Sequence, residues 1–146
     1  MSETIVVGTD GSETAKNAVA EAVRLAKALG AEVHLVSAFV PLRGAHVTGA
    51  PDGAAKVWQP LPDSEVEATL SQAEASVRLA GVTVKTHAAQ GDPAHALLET
   101  AEQLGADLIV VGSRGMHGAK RVLGSVPNTV SHRAPCNVLI VNTDED

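Results

Sequence analysis

An apolar run, Asp107-Leu108-Ile109-Val110-Val111, stops at Gly112-Ser113-Arg114-Gly115, and further on the chain reads Gly124-Ser125-Val126-Pro127-Asn128. A buried strand that ends in glycines and leads to a helix start is how an open α/β sheet cradles phosphate. Small residues let backbone N–H groups approach the anion, and the helix dipole favours its negative charge. Arg114, His117, Lys120 and Arg121 lie along this stretch. They are either countercharge for an anion or solvated surface groups. Asp10, in Gly8-Thr9-Asp10-Gly11-Ser12, follows a second apolar run. It either caps the next helix or contacts a ligand at the carboxyl end of its strand.

Several sharper chemistries are excluded by spacing. A Walker A loop needs Gly-Lys-Ser/Thr after its first glycine and four residues, and Gly118-Ala119-Lys120-Arg121 does not supply it. The dinucleotide fingerprint G-x-G-x-x-G also fails. What remains is Gly112-x2-Gly115-x8-Gly124-Ser125. His34, His46, His87, His95, His117 and His132 show no metal-ligand spacing, so no metal site is expected. His117, beside the glycines, is the one histidine singled out for testing. No Ser-His-Asp order or carboxylate pair suggests a catalytic centre, so no catalytic residue is assigned. A phosphotransferase would need a positioned base or metal ligands. Asp10 and Asp107 are the acids at strand ends, and Asp107 stands at the end away from the glycines. Cys136 follows Pro135 into an apolar strand and reads as a small buried hydrophobe.

These residues need strands and helices to place them. Thr4–Thr9 reads as a strand, and Ala15, Ala18, Val19, Ala22, Leu25, Ala26 and Leu29 mark one face of a helix. Ser12 is its expected N-cap and Gly30 its end. Glu32–Phe39 is a second strand. Residues 41–62 hold four prolines and no period and read as a long loop. Asp63 is expected to cap a helix running to Leu79, and Val82–Ala88 alternates as a strand. Asp92-Pro93 opens a helix that ends at Gly105, with Asp92 as cap and Pro93 at the first position. Asp107–Gly112, a helix over Ser125–His132, and a strand over Asn137–Asn142 complete the chain. Strands alternating with helices predict right-handed crossovers and an α/β fold: one open, doubly wound, five-stranded parallel sheet with helices on both faces. Asp10 and Gly112 both follow strand ends, so the two are expected to converge although about 100 residues separate them.

Composition sets the remaining bounds. The 146 residues fit one domain, 1–146. Phe39 and Trp58 are its only Phe and Trp and tyrosine is absent, so the core must be aliphatic, as buried parallel sheets are. A net charge of −6 without an aromatic-interleaved basic stripe argues against nucleic acid as a partner. Residues 143–146 read as an acidic tail. A single cysteine fits a reducing compartment, and neither a leader pattern nor a membrane-length run is present, so a cytoplasmic protein with no membrane partner is expected. The strand 137–142 is apolar on both faces and is expected at a sheet edge, where a two-fold dimer would cover it.

The segments VVGTDGSETAKNAV, GDPAHALLETAEQLGADLIVVGSRG and LGSVPNTVSHRAPCNVLIV, in this order, resemble the nucleotide-binding branch of the universal stress protein family. The resemblance spans essentially the whole chain and implies a Rossmann-like, adenine nucleotide α-hydrolase-like fold. It implies that Asp10 meets ribose hydroxyls, with Gly8 and Thr9 as the floor beside it, and that Ala38 and Phe39 hold adenine through their backbone. Val111, Gly112 and Gly115 would border ribose and phosphate, Arg114 would add countercharge in the nucleotide site, and Gly124, Ser125 and Val126 would bind phosphates. The connection between Gly115 and Gly124 is one residue shorter than the family pattern, with both glycine ends intact. The resemblance implies a homodimer and an adenine nucleotide, ATP with Mg2+ or cyclic AMP, in stress response or signalling with little or slow hydrolysis. The one-phosphate cyclic nucleotide needs the shorter cradle. A dimeric interaction module without nucleotide, and a weak ATPase, are the alternatives.

Overall fold

The computed structural model describes residues 3–39, 64–113 and 125–142. Its strands are β1 (Thr4–Gly8), β2 (Glu32–Phe39), β3 (Val84–Gln90), β4 (Leu108–Gly112) and β5 (Asn137–Val141). Its helices are α1 (Glu13–Leu29), α2 (Ser64–Leu79), α3 (Pro93–Leu104) and α4 (Ser125–Arg133). The strands form one parallel sheet in the order β3-β2-β1-β4-β5. The chain therefore winds outward from β1 to β3, then returns to β4 on the other side of β1. That reversal puts a crevice between the carboxyl ends of β1 and β4.

Alternation along each strand divides the apolar core into two layers. Ile5, Val7, Val33, Leu35 and Val110 pack with Ala18, Ala22 and Ala26 of α1 and with Leu70 and Val77 of α2. On the opposite face Val6, Val36, Ile109 and Val111 pack with Ala94, Leu97 and Ala101 of α3 and Val130 of α4. The alanine-rich inner face of α1 lets helix and sheet approach closely, and so an aliphatic chain fills its core without aromatic bulk.

Cap chemistry sets the helix bounds. The Ser12 hydroxyl accepts from Ala15 N at 3.1 Å and the Asp92 carboxylate accepts from His95 N at 2.9 Å. Gly30 and Gly105 end α1 and α3 as expected. At the amino end of the sheet, Thr4 N donates to Asp107 Oδ2 and Asp107 N to Thr4 O, both at 2.9 Å, so Asp107 ties β1 to β4 far from the crevice.

Two expectations shift. β3 spans Val84–Gln90 rather than Val82–Ala88, because pairing and not alternation fixes it: Val33 faces Val84 and Phe39 faces Gln90 along the whole of β2. Cys136 is half-buried rather than buried; burial first, and then the Asp107 charge, push its thiol up from its ordinary value. Apolar β5 does occupy an edge of the sheet. The loop 41–62, the Asp63 cap and the tail 143–146 lie outside the described residues. Among the described residues no helix is long and apolar enough to cross a membrane.

Candidate functional site

A cavity of about 430 Å³ opens at the β1/β4 crevice, a size that suits a small organic ligand. Among the described residues its walls come from the carboxyl ends of three strands and the first turns of α1, α3 and α4. The loop after β1 brings Gly8, Thr9 and Asp10, β2 brings Val36, Ser37 and Ala38, and β4 brings Val111 and Gly112. The first turn of α4 adds Ser125, Val126 and Pro127. Residues as distant in the chain as Gly8 and Ser125 thus share one wall, as the doubly wound topology requires.

The β1–α1 loop is held by one bond to the sheet and then by short local bonds. Thr9 N continues the sheet by donating to Val36 O at 2.9 Å. Asp10 Oδ1 accepts from Ser12 N at 2.9 Å and Thr9 Oγ1 from Gly11 N at 3.3 Å. Asp10 is exposed, so its carboxylate sits at the mouth and remains hydrated when ionised. Gly11 turns the chain at φ 84°, and a Cβ there would meet Thr69 Oγ1 of α2 at 2.9 Å. Only glycine satisfies both the backbone angle and the contact. Gly8 plays a different part: a Cβ on it would lie 3.1 Å from Leu97 Cδ1, so its missing side chain is where α3 presses onto the sheet.

The cavity is mainly apolar. Val36, Leu97, Val111 and Pro93 provide flat aliphatic surface, and among the described lining residues Asp10 is the one charged group. Positive potential for an anion comes instead from the N-terminus of α4, whose first backbone N–H groups have no helical partner. This pairing of aliphatic walls with a helix N-terminus suits a ligand that is apolar and flat at one end and anionic at the other.

Of the sequence-derived candidates, Gly8, Thr9, Asp10, Ala38, Val111, Gly112, Ser125 and Val126 are brought together here. Phe39 is not in this wall: it is buried, and its carbonyl accepts from Gly91 N at 2.9 Å beyond the end of β2. Successive strand residues point to opposite faces, so Ala38 and Phe39 diverge. Arg114, Gly115 and Gly124 lie outside the described residues, as do His117, Lys120 and Arg121. Sequence reasoning missed Pro93 and Leu97, having read Asp92-Pro93 as a helix start and nothing more. Every helix that follows a parallel strand starts at the sheet's carboxyl end, and that signal would have placed Pro93 beside the site. Among the described residues no group of three metal-ligating side chains occurs.

A five-stranded parallel sheet wound to both sides of β1, with its cavity at the β1/β4 switch point, defines the doubly wound α/β class. The universal stress protein family profile matches residues 1–142, and the chain belongs to that family. It is 39% identical to universal stress protein Rv1636 of Mycobacterium tuberculosis, over 97% of both chains. Universal stress protein YxiE of Bacillus subtilis is 37% identical, over 94% of this chain and 97% of its own. A crystal structure of a universal stress protein in complex with cAMP superposes with a TM-score of 0.75 at 34% identity, covering 97% of this chain and 98% of that one.

Proposed function

We propose that this chain binds an adenine nucleotide, ATP or cyclic AMP, in the β1/β4 cavity and serves stress response or signalling through that occupancy. The observation that carries the reading is the convergence of Asp10, Gly112 and Ser125-Val126 around an otherwise apolar cavity. The family relative holding cAMP adds support. Adenine would lie against the aliphatic wall of Val36, Ala38 and Val111. The Asp10 carboxylate would accept from ribose hydroxyls, and backbone N–H groups of Ser125 and Val126 would meet phosphate. Arg114, Gly115 and Gly124 join this set by their place in the glycine motif. With ATP, Mg2+ would take most of its oxygen ligands from phosphate and water, because Asp10 is the one carboxylate lining the described wall.

The reading includes little or slow hydrolysis. Phosphoryl transfer to water needs a group that orients the nucleophile, and in this reading Asp10 serves the ribose end. The cytoplasm is the compartment that fits a nucleotide ligand and one free cysteine. A homodimer pairing β5 with its symmetry mate would cover the apolar edge strand.

Denaturing the purified protein and chromatographing the supernatant tests the reading, with calorimetry on emptied protein. One Trp and no Tyr make the protein itself a weak absorber, so a retained adenine base would dominate the ultraviolet spectrum. The expected result is a released adenine nucleotide or saturable binding of ATP or cyclic AMP. Absence of both would replace this reading with that of a dimeric interaction module. Competition between labelled cyclic AMP and ATP ranks the two ligands, and displacement by ATP at comparable concentration would remove any cyclic AMP preference.

A further inference from the structure

Away from the cavity, β2 and β3 are joined by a chain of three titratable side chains. His34 is buried, and its Nε2 lies 2.6 Å from Glu32 Oε1. Its other ring nitrogen, Nδ1, lies 2.9 Å from Nε2 of His87, and the two rings stack with centroids 5.1 Å apart. A carboxylate only accepts, so His34 Nε2 carries a hydrogen and donates to Glu32. One hydrogen, from either imidazole, fits on the line between Nδ1 of His34 and Nε2 of His87. The trio can therefore hold one proton beyond its neutral imidazoles, balanced by the Glu32 charge. It cannot hold two, because both facing nitrogens would then carry hydrogen 2.9 Å apart.

The surroundings offer no relief for a second positive charge. Lys85 pairs with His34 in the β2–β3 register and lies on the same side of the sheet, adding like charge. From β1 the residue facing His34 is Val6, which is uncharged. The helix over this side, α3, turns Ala94, Leu97 and Ala101 inward. Its titratable groups His95, Glu99 and Glu102 are exposed, and His95 lies 3.9 Å from Glu99. On the opposite side of the sheet α2 packs with Leu70 and Val77. Burial above all, then the His34 and Lys85 charges, hold His87 below the ordinary histidine range.

We infer that Glu32, His34 and His87 form an acid-operated latch on the β3 edge strand: one proton is shared within the trio, and a second breaks the His34–His87 contact and loosens β3. Val36 faces His87 and Ala38 faces Ala89 in the β2–β3 register, and both Val36 and Ala38 line the cavity, so release reaches the cavity wall whatever the cavity holds.

Amide hydrogen exchange on the full chain at pH 7 and pH 5, corrected for intrinsic exchange rates, tests the latch. Protection of the β3 amides is expected to fall about tenfold, the factor that one pKa unit represents, while β1 and β4 stay protected. His87→Gln keeps an N–H for His34 Nδ1 but takes up no proton, and the pH dependence at β3 should vanish. Unchanged β3 protection in the native chain, or an equal fall in His87→Gln, would overturn the latch. Should that variant not fold, imidazole 15N titration of the native chain decides: two separated steps support the latch, and a single coincident step overturns it.

Discussion

Polar side chains meet the sheet in two places, and they are wired differently. Around the cavity, Thr9, Asp10 and Ser12 bond to backbone groups two or three residues away. At the β2–β3 seam, His34 and His87 bond to one another across 53 residues of chain. Beyond the Thr9 N to Val36 O bond that joins it to the sheet, the loop is shaped by local side-chain bonds, which a ligand entering the cavity would leave in place. The seam bond is a tertiary contact, and whatever breaks it acts on strand pairing. In the proposed reading the first region holds a ligand, and in the inferred latch the second responds to pH.

The largest expected effect tests the first half of that contrast. Asp10→Ala should weaken adenine nucleotide binding about 10- to 100-fold, the loss expected for hydrogen bonds to a charged group, while urea unfolding changes little. A stability loss as large as the binding loss would show that Asp10 serves the loop and not a ligand. Next, His34→Leu should destabilise the fold by about 2 kcal/mol in urea unfolding, because Glu32 and His87 lose their shared partner. Nucleotide affinity measured at neutral pH should stay within a few-fold. Gly8→Ala should cost about 1 kcal/mol, since the added methyl presses on buried Leu97. Here binding and stability should fall together, because Gly8 belongs to both the wall and the packing.

The smallest effect is the acid dependence of global stability. His87 is held below its ordinary value in the folded state, so between the folded and unfolded pKa the unfolded chain binds more protons. Its contribution is complete above the ordinary histidine value of about 6.5 and is lost as pH falls toward the folded value. Because His87 is half-buried, solvent screening should keep the loss below about 1 kcal/mol. Thermal melts at pH 7 and pH 5 on the native chain and His87→Gln measure it by difference. A melting temperature that rises on acidification in the native chain relative to the variant would reverse the assigned sign.

What could be read from the sequence follows the same local and long-range division. Ser12, Gly30, Asp92-Pro93 and Gly105 mark helix ends through bonds within a few residues, and those ends were legible. The convergence of Asp10 with Gly112 was legible too, because the alternation of strands and helices implies a topology, and the topology implies a crevice. The bounds of β3 were not, since they depend on how far β2 extends beside it. Nor was the histidine pair. His34 interrupts the apolar run Val33-His34-Leu35-Val36, a sign of a buried polar group needing a partner. Naming that partner required the register that sets Val36 opposite His87. Phe39 marks a limit of the motif: alternation turns its side chain away from the cavity that Ala38 lines, while the implied role of its backbone does not depend on where that side chain points.

The strand order has a consequence for how the protein is made. β1 leaves the ribosome before the other four strands described, yet it lies mid-sheet, and its partner β4 is synthesised about 100 residues later. The cavity wall is finished only when Ser125–Pro127 emerge and β5 can follow. Until then the nascent chain holds one flank of β1 bare and has no pocket. Under the proposed function, a nucleotide that favours the closed wall would therefore stabilise only chains that have already extended past α4, and its capture would mark the point at which the wall has closed.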